Sequence, residues 1–364
     1  MSAAPYTDAA RIRADYEAAR STGLRARDAA RQIGLSEGAV LAAHAGPHDQ
    51  PLQALPLRGD WLALLQALEP CGSLMALTRN ESVVHEKHGT YRQVSAQGAV
   101  ALVLDREIDL RLFLDHWHAG FAVLEAGRSP SAPLLRSLQF FNAHGRAVHK
   151  IYAREATDRE ALEAVIQRFA QAGARPQFEA GAEAADEPQE RPDADAAGFL
   201  AGWSQMKDTH EFFGLMQRFG LPRQQSLRLA EGRFTWRLDP GAVEQVLRRA
   251  ARAQTSIMVF VGSGGCIQIH TGPVHRIDTL QGPGGDWLNV LDTGFNLHLR
   301  SDHVAEVWRV EKPTGDGLVT SIEVFSARGE LLAMFFGERK PGQPELAEWR
   351  QLVAALPRLA GEPA

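Results

Sequence analysis

Two stretches of the chain repeat one pattern: SLQFFNAHG at Ser137–Gly145 and SIEVFSARG at Ser321–Gly329. They lie 184 positions apart (137 against 321). Two further pairs of segments keep the same order at offsets of 183 and 187: Ser73–Leu77 with Ser256–Phe260, and Leu110–Trp117 with Leu297–Val304. Because the whole series recurs in one order with small changes of spacing, we predict that the chain is a tandem duplication of one domain.

The repeated segments have the pattern of β-strands. In the third pair, Leu110, Leu112 and Leu114 alternate with Arg111 and Phe113, which gives one apolar face and one mixed face. Each repeat ends in a pattern typical of a helix, over residues 158–169 and 345–356. The predicted fold class is therefore α+β: a large antiparallel β-sheet meander in each repeat, flanked by helices.

The composition is that of a soluble protein with two domains. The chain has 364 residues, of which 45% are hydrophobic. A net charge of −5 provides no basic surface, so nucleic acid is not an expected partner. No run of 18 apolar residues occurs, and the first residues lack an apolar signal segment, so membrane insertion is not expected. The two cysteines, Cys71 and Cys266, exclude a disulfide framework and favour a cytoplasmic location.

An acidic segment separates the repeats. Residues 176–198 contain seven acidic residues against Arg191 alone, with several Ala and Pro. Such a segment cannot bury enough apolar surface to offset its chain entropy. We therefore predict an N-terminal repeat with a helical cap (1–175), a mobile linker (176–198), and a C-terminal repeat (199–364).

The first part of the chain, residues 8–43, reads as two or three short helices. Residues 27–37 resemble the first helix and turn of a helix-turn-helix. The segment that would read DNA, Ser36–Ala43, offers no Arg, Lys, Asn or Gln to a base edge. A helical cap packed on the adjacent domain is therefore the favoured interpretation.

A histidine near the start of the second repeat is the main candidate for chemistry. If one helix runs from about residue 195 to 219, this histidine lies on an apolar helical face. That face consists of Phe199, Trp203, Met206, His210 and Phe213. Spacing alone favours a core histidine whose ring is hydrogen-bonded.

The local sequence also allows a second interpretation. Asp208 can cap a new helix with Glu211 at its third position, which is a capping-box pattern. Both interpretations place Phe213 and Met216 on the same side as His210. A neutral imidazole among such neighbours suits an iron held in an apolar macrocycle.

Several short motifs, spread over most of the chain, resemble one known family. They are Met206–Phe213 (MKDTHEFF), Leu221–Gln225 (LPRQQ), Arg79–Lys87, Asp109–Leu114, Gly264–Gly272 and Lys312–Gly317. These segments are similar to those of the HemS/ChuS family of bacterial haemin-binding and haemin-degrading factors. The similarity extends over roughly residues 60 to 350, and the duplication is itself a trait of that family.

The resemblance implies a role for individual residues. His210 would be the axial ligand of the haem iron, with Phe213 beside the haem. Arg111 would face the opposite side of the haem and act in catalysis by donating to a bound water or dioxygen. The cations near the haem propionates would be Arg223, Lys312 and Arg339.

These residues also have plainer interpretations. From its strand position alone, Arg111 is a paired structural cation, and Lys312 and Arg339 are solvated charges. The sequence also departs from the family pattern, because Phe336 stands where several relatives have a tyrosine, and the turn Ser263–Gly265 lacks an arginine. Haem binding is still expected with both departures. They concern the distal side of the haem, which is the side opposite His210.

Other histidines are candidates with less support. His85 and His270 occupy matching positions in the two repeats, which favours a structural role, although His85 is also a candidate for a second, weak haem site. His116 and His118 would share one face of a strand and could hold a metal only with a third ligand.

Two functions follow from the resemblance. In the first, a cytoplasmic bacterial protein receives haem after import and takes part in its degradation for iron, with electrons from a separate reductase. In the second, a haem chaperone delivers haem to a separate haem oxygenase. The expected partners are haem, a haem importer, and an oxygenase or reductase. A DNA-binding regulator is the alternative from another class.

Overall fold

The computed structural model of the protein describes residues 8–126, 133–179, 190–282, 284–339 and 342–359. The chain divides into two compact units. Unit 1 comprises Met1–Arg79, Glu86–Glu183 and Gly262–Gln268, and unit 2 comprises Asn80–His85, Ala184–Val261 and Ile269–Ala364. Residues 180–189 of the predicted linker lie outside the described residues, so the linker stays a prediction.

The first half of the chain contains five helices and nine strands among its described residues. The helices are α1 (Ala9–Ser21), α2 (Ala26–Gln32), α3 (Glu37–Ala43), α4 (Trp61–Gln66) and α5 (Arg159–Phe169). The strands are β1 (Gln53–Leu57), β2 (Gly72–Arg79), β3 (Val83–Gly89), β4 (Ser95–Gln97), β5 (Val100–Leu104), β6 (Asp109–Leu112), β7 (Ala119–Glu125), β8 (Leu135–Phe141) and β9 (Ala147–Thr157).

Five strands of unit 1 form an antiparallel sheet in the order β1-β7-β8-β9-β2. Gln139 of β8 lies opposite Phe121 of β7 and Lys150 of β9. Strands β4, β5 and β6 form a second antiparallel group. β7, β8 and β9 form the predicted meander, whereas β1 and β2 join it by pairing segments that are far apart in sequence. The alternation of residue types along a strand carries no information about such partners.

Unit 1 has apolar clusters on the two faces of its larger sheet. Phe140 belongs to the cluster with helices α4 and α5, and its neighbour Phe141 belongs to the cluster with the N-terminal helices. Adjacent residues enter different clusters because successive side chains of a strand point to opposite faces. Within α3, Glu37 binds Arg79 and Lys150. The N-terminal helices pack on the sheet, and α3, the helix that would read DNA, is among them.

The second half of the chain repeats this plan. Its helices are α6 (Ala196–Ser204), α7 (Glu211–Phe219), α8 (Arg223–Leu229), α9 (Ala242–Ala253) and α10 (Ala347–Ala354). Its strands are β10 (Thr235–Leu238), β11 (Ile257–Gly262), β12 (Cys266–Gly272), β13 (Ile277–Leu280), β14 (Trp287–Asp292), β15 (Phe295–Arg300), β16 (Glu306–Thr314), β17 (Gly317–Phe325) and β18 (Leu331–Gly337).

The strand order of unit 2 matches that of unit 1 position by position. Its larger antiparallel sheet has the order β10-β16-β17-β18-β11, and β13, β14 and β15 form the second group. Helices α9 and α10 pack on one apolar cluster, and α6, α7 and α8 pack on another. The predicted α+β class, antiparallel sheets and duplication are confirmed. The predicted terminal helices are also present as α5 and α10.

Candidate functional site

The chain around His210 breaks the predicted long helix. Helix α6 ends at Ser204 and α7 begins at Glu211, so a single helix over residues 195–219 is wrong. The Oδ1 atom of Asp208 accepts a hydrogen bond from the backbone N–H of His210 at 2.8 Å. The Oε2 atom of Glu211 accepts one from the backbone N–H of Lys207 at 3.1 Å. Such side-chain bonds to nearby backbone compete with helical bonds, and they favour a turn followed by a new helix start.

This break moves the histidine out of the apolar core. The His210 side chain is 93% exposed, and Phe213 is 63% exposed. Met206, Phe212 and Met216 are buried. His210 and Phe213 therefore share an outer surface, and the prediction of a core histidine on an apolar face is wrong. The second interpretation, a new helix near Asp208, is closer, although α7 starts after His210.

The His210 ring is held from one side. Its Nδ1 atom lies 2.6 Å from Asp208 Oδ1. The backbone N–H and the ring of His210 hold the pKa of Asp208 below its usual value, and the charge of the Arg339 guanidinium adds to this effect. No described residue hydrogen-bonds Nε2 of His210. The geometry therefore leaves Nε2 as the ring atom that can coordinate a metal.

A buried ionic cluster lies behind the surface that carries His210, where α8 meets the sheet. Arg223 donates from Nε and NH2 to the two carboxylate oxygens of Glu323, at 2.7 and 2.9 Å. Lys312 Nζ donates to Glu323 Oε1 at 2.7 Å. Both cations also lie over the ring of Phe212, with Arg223 Cζ at 5.4 Å and Lys312 Nζ at 4.8 Å from its centroid. We call Arg223, Lys312 and Glu323 the Glu323 cluster.

In the Glu323 cluster, the pKa of each buried group depends on the charges of its partners. Glu323 is fully buried and Lys312 is 3% exposed. Although burial acts to raise the pKa of Glu323, the charges of Arg223 and Lys312 hold it well below its usual range. Burial lowers the pKa of Lys312, and Glu323 opposes that shift. The interpretation of Lys312 as a solvated charge is therefore wrong.

Arg339 follows β18 and is half-buried. Its Nε atom is buried and has no hydrogen-bond partner among the described residues. Its charge acts on Asp208, which places the guanidinium in the neighbourhood of the His210 turn. The guanidinium is therefore a candidate partner for a ligand carboxylate near this turn.

Arg111 lies in unit 1, on β6, and is partly exposed. Its guanidinium forms an ion pair with Asp109 and donates to the backbone carbonyl of Leu110 at 3.2 Å. This contact agrees with the interpretation of a paired cation. The role of Arg111 opposite His210 on the haem stays a prediction.

The other candidate histidines have structural surroundings. The ring of Phe295 stacks on His270 with centroids 3.8 Å apart, and it also packs against His85 at 5.0 Å. Both histidines are buried, which supports their structural interpretation. His116 lies in a 3-10 turn rather than on a strand, and His118 contacts the carbonyl of Gln177 at 2.7 Å. Among the described residues, no group of three or more His, Cys, Asp or Glu could hold a metal ion.

The two departures from the family pattern are accommodated by packing. Phe336 packs edge-on against Phe260, with ring centroids 5.1 Å apart. In the turn that lacks an arginine, Ser263 donates to the Val148 carbonyl at 2.6 Å, and the Gly265 carbonyl accepts from Trp117 at 2.8 Å. Within the part of the chain that the structure describes, no helix is long and apolar enough to cross a membrane.

Sequence reasoning missed Glu323. Its strand, β17, is otherwise apolar around it, with Ile322, Val324 and Phe325 all buried. A lone carboxylate in such a run signals a buried ion pair, because an isolated charge is rarely buried. The matching residue of the first repeat, Gln139, is also polar and buried, so the repeat itself held the signal.

These features define a class: a duplicated α+β protein with one exposed, carboxylate-held histidine at the start of a helix. Comparison with known families gives the particular one. The model of the haemin-degrading HemS/ChuX domain matches residues 34–169 and again residues 220–356. The chain therefore belongs to the HemS/ChuX family, and the predicted resemblance is confirmed.

Individual relatives cover almost the whole chain. The hemin transport protein HemS of Yersinia enterocolitica is 39% identical over 335 residues, which are 92% of this chain and 93% of the relative. The crystal structure of holo-PhuS, a heme-binding protein from Pseudomonas aeruginosa, has 43% identity and a TM-score of 0.87, covering 96% of this chain and 99% of that one. The heme degrading enzyme ChuS of Escherichia coli O157:H7 has 34% identity and a TM-score of 0.86, with the same coverage.

Proposed function

We propose that the protein binds haem through His210 and acts in haem utilisation after import. The observation that carries this proposal is the state of the His210 ring. It is exposed, its Nδ1 is held by Asp208 at 2.6 Å, and its Nε2 is available. A metal-ligating histidine usually has this arrangement, with one nitrogen on the metal and the other bonded to a carboxylate or carbonyl.

The surroundings of His210 fit a flat, largely apolar macrocycle with carboxylates at its edge. Phe213 is three residues further along, on the same side of the start of α7, and its exposed ring would gain from being covered. Arg339 is half-buried, and we propose that its guanidinium meets a propionate. Arg223 is partly exposed and can do the same from the edge of its pair with Glu323. We propose that buried Lys312 supports this region through Glu323.

The family suggests that the bound haem is degraded. ChuS, which covers almost the same length, is described as a heme degrading enzyme. In such a reaction we propose that Arg111 would supply a positive charge and N–H donors to the bound haem. The reaction consumes electrons, so a separate reductase is the proposed partner, and an importer would supply the haem.

Chaperone activity is the second candidate. It is favoured by the exposure of both His210 and Phe213, because an accessible ligand and an accessible aromatic surface suit transfer to another protein. HemS is named a hemin transport protein and PhuS a heme-binding protein. In this role the partner is a separate haem oxygenase. For either role we propose the bacterial cytoplasm, and the two free, buried cysteines suit a reducing compartment.

Binding is tested by titrating the protein with haemin and following the Soret band. We expect His210→Ala to change the Soret spectrum and weaken haem retention. His275→Ala is the matched control, because His275 is an exposed histidine of the same unit. If His210→Ala and His275→Ala both leave the spectrum unchanged, His210 is not the ligand.

Degradation and delivery are separated by a turnover experiment. The haem-loaded protein is mixed with a reductant and catalase, and the Soret band, carbon monoxide and released iron are followed. Degradation predicts loss of the Soret band with release of both products while catalase removes free peroxide. A haem that persists until an added haem oxygenase consumes it supports delivery and contradicts degradation.

A further inference from the structure

The turn before α7, residues Gln205–His210, holds its histidine by more than one contact. One oxygen of Asp208 binds both the backbone N–H of His210 at 2.8 Å and its ring Nδ1 at 2.6 Å. Because a single oxygen bridges backbone and ring, it restricts the rotation of the side chain about both bonds that carry the ring. We call residues Gln205–His210 the ligand turn.

The backbone of the ligand turn is itself held by hydrogen bonds at Lys207 and Asp208. The carbonyl of Lys207 accepts a hydrogen bond from the backbone N–H of Gly315 at 2.8 Å. The backbone N–H of Lys207 donates to Glu211 Oε2 at 3.1 Å, and the N–H of Glu211 donates to the Asp208 carbonyl at 3.2 Å. Asp208 therefore presents its carboxylate from an ordered backbone. A ring exposed over 93% of its surface has no packing of its own to orient it, so this carboxylate sets the orientation.

The contact also decides which ring nitrogen carries the proton. In a neutral imidazole one nitrogen carries the proton and the other has the lone pair. A carboxylate at 2.6 Å from Nδ1 holds the proton there, which leaves the lone pair on Nε2, pointing away from the turn. A carboxylate partner also makes the ligating nitrogen a stronger electron donor.

We propose that Asp208 is a positioning residue that selects Nε2 of His210 as the iron ligand and strengthens its donation. The proposal rests on the proposed function for its second part, the effect on iron. Its first part, the tautomer and orientation of the ring, concerns the protein without haem. The two parts can therefore fail separately.

The variants isolate the contact. Asp208→Ala removes the oxygen, and Asp208→Asn removes the charge but keeps an oxygen that can accept from Nδ1. Glu211→Gln is the matched control, because it changes a carboxylate in the adjacent turn that binds the Lys207 backbone and not the ring. Circular dichroism of each variant is the check that its helices are retained.

The first measurement uses protein without haem, with ¹⁵N-labelled histidine, at a pH where the ring is neutral. Nuclear magnetic resonance reports which ring nitrogen carries the proton. We expect the Nδ1–H tautomer of His210 in the native protein and in Glu211→Gln, and a mixture of tautomers in Asp208→Ala. A native ring with its proton on Nε2, or an Nδ1–H tautomer that persists in Asp208→Ala, overturns the proposal.

The second measurement uses haem-loaded protein. We expect Asp208→Ala to weaken haem affinity by about 10-fold or more, the usual effect of removing such an outer partner. The iron–histidine stretching frequency of the ferrous protein, measured by resonance Raman, should fall in Asp208→Ala, fall less in Asp208→Asn, and stay unchanged in Glu211→Gln. An equal frequency in native and Asp208→Ala protein overturns the effect on iron. If haem instead binds normally to His210→Ala, the proposed function fails while the tautomer result stands.

Discussion

Replacing Glu323 by glutamine should destabilise unit 2 strongly. The substitution keeps the shape of the side chain and removes the charge that Lys312 and Arg223 share. Lys312 would stay at 3% exposure without its carboxylate, either as an unpaired ammonium or as an amine that has released its proton. Removing one partner of a buried ion pair costs about 3–5 kcal/mol. For a domain of this size, a loss of that order lowers the melting temperature by about 6–20 °C.

Urea denaturation followed by tryptophan fluorescence is the assay. Trp203 and Trp308 are both fully buried in unit 2 and report on its unfolding. We expect the midpoint for Glu323→Gln to fall by about 2 M urea, taking a slope of about 2 kcal/mol per molar. Asp316→Asn is the control for the same chemical change at an exposed turn, and it should shift the midpoint little. Equal midpoints for the two variants would refute the reasoning.

A second substitution tests the cause of the loss. If the cost arises from an unpaired buried ammonium, then adding Lys312→Met to Glu323→Gln should recover part of the stability, because an apolar side chain of similar length is less costly there.

The pH dependence of stability gives a further check. The pKa of Glu323 is depressed in the folded state, so its contribution is present above the unfolded pKa of about 4.3 and is lost as the pH falls towards the folded value. The difference between native protein and Glu323→Gln should be constant from about pH 6 to 8 and shrink below about pH 4.

Three further predictions concern unit 1 and the end of β18. If the protein degrades haem as proposed, Arg111→Ala should retain haem and slow the degradation by about 10²-fold or more in a single-turnover assay, whereas unchanged turnover would show that Arg111 is structural. Tyr91→Phe removes the hydroxyl that lies 2.7 Å from Nε2 of buried His149, and it should lower the free energy of unfolding by about 1–3 kcal/mol in urea titrations. Gly337→Ala would place a Cβ 2.7 Å from the Trp349 side chain, and we expect it to cost about 1–3 kcal/mol, seen as a lower melting temperature. A Gly337→Ala protein as stable as the native one would show that Trp349 can move.

The duplication, the strands and the terminal helices could be predicted because each depends on local patterns. The strand pattern of residues 109–114 predicted β6, and the helical pattern over residues 158–169 predicted α5. The place of His210 could not be predicted from spacing. Apolar residues can recur at helical spacing in a sequence even where the backbone leaves the helix. Here the side chains of Asp208 and Glu211 bind nearby backbone groups and interrupt the helix.

The partners of Glu323 could not be predicted, for a different reason. Arg223 was recognised as a cation that can bind a carboxylate, but the expected partner was a haem propionate. In the structure, the carboxylate that binds Arg223 belongs to Glu323 of β17, a hundred residues further along the chain. Nothing in a local pattern links two residues so far apart. Only the pairing of β16 with β17 and the packing of α8 on the sheet bring Lys312, Glu323 and Arg223 together.

The first repeat also has an ionic contact at the start of the matching helix, although its partner lies on β9 and not on β8, the strand that matches β17. Glu37 is the first residue of α3 and accepts from Lys150 of β9 at 2.7 Å, whereas Arg223 is the first residue of α8 and donates to Glu323 of β17. Although burial opposes it, the charges of Arg79 and Lys150 lower the pKa of Glu37 to about 2. Both repeats therefore attach the start of this helix to the sheet by a buried ion pair. The contact with Glu323 therefore supports a structural role for Arg223.

The same comparison separates His210 from the requirements of the fold. The glycines that end α2 and α7 both have left-handed backbone, at φ values of 75° and 62°, and they align the two helices. Counting back ten residues from each, His210 matches Leu24 (210 against 220, 24 against 34), and Asp208 matches Thr22. Thr22 donates its hydroxyl to the Ala19 carbonyl at 2.8 Å, an ordinary end to a helix. The first repeat thus forms the same fold without a carboxylate and a histidine at this turn. If Asp208 and His210 were needed for the fold, both repeats should have such a pair. A pair that binds a ligand is needed in one repeat only, and this is what the sequence has.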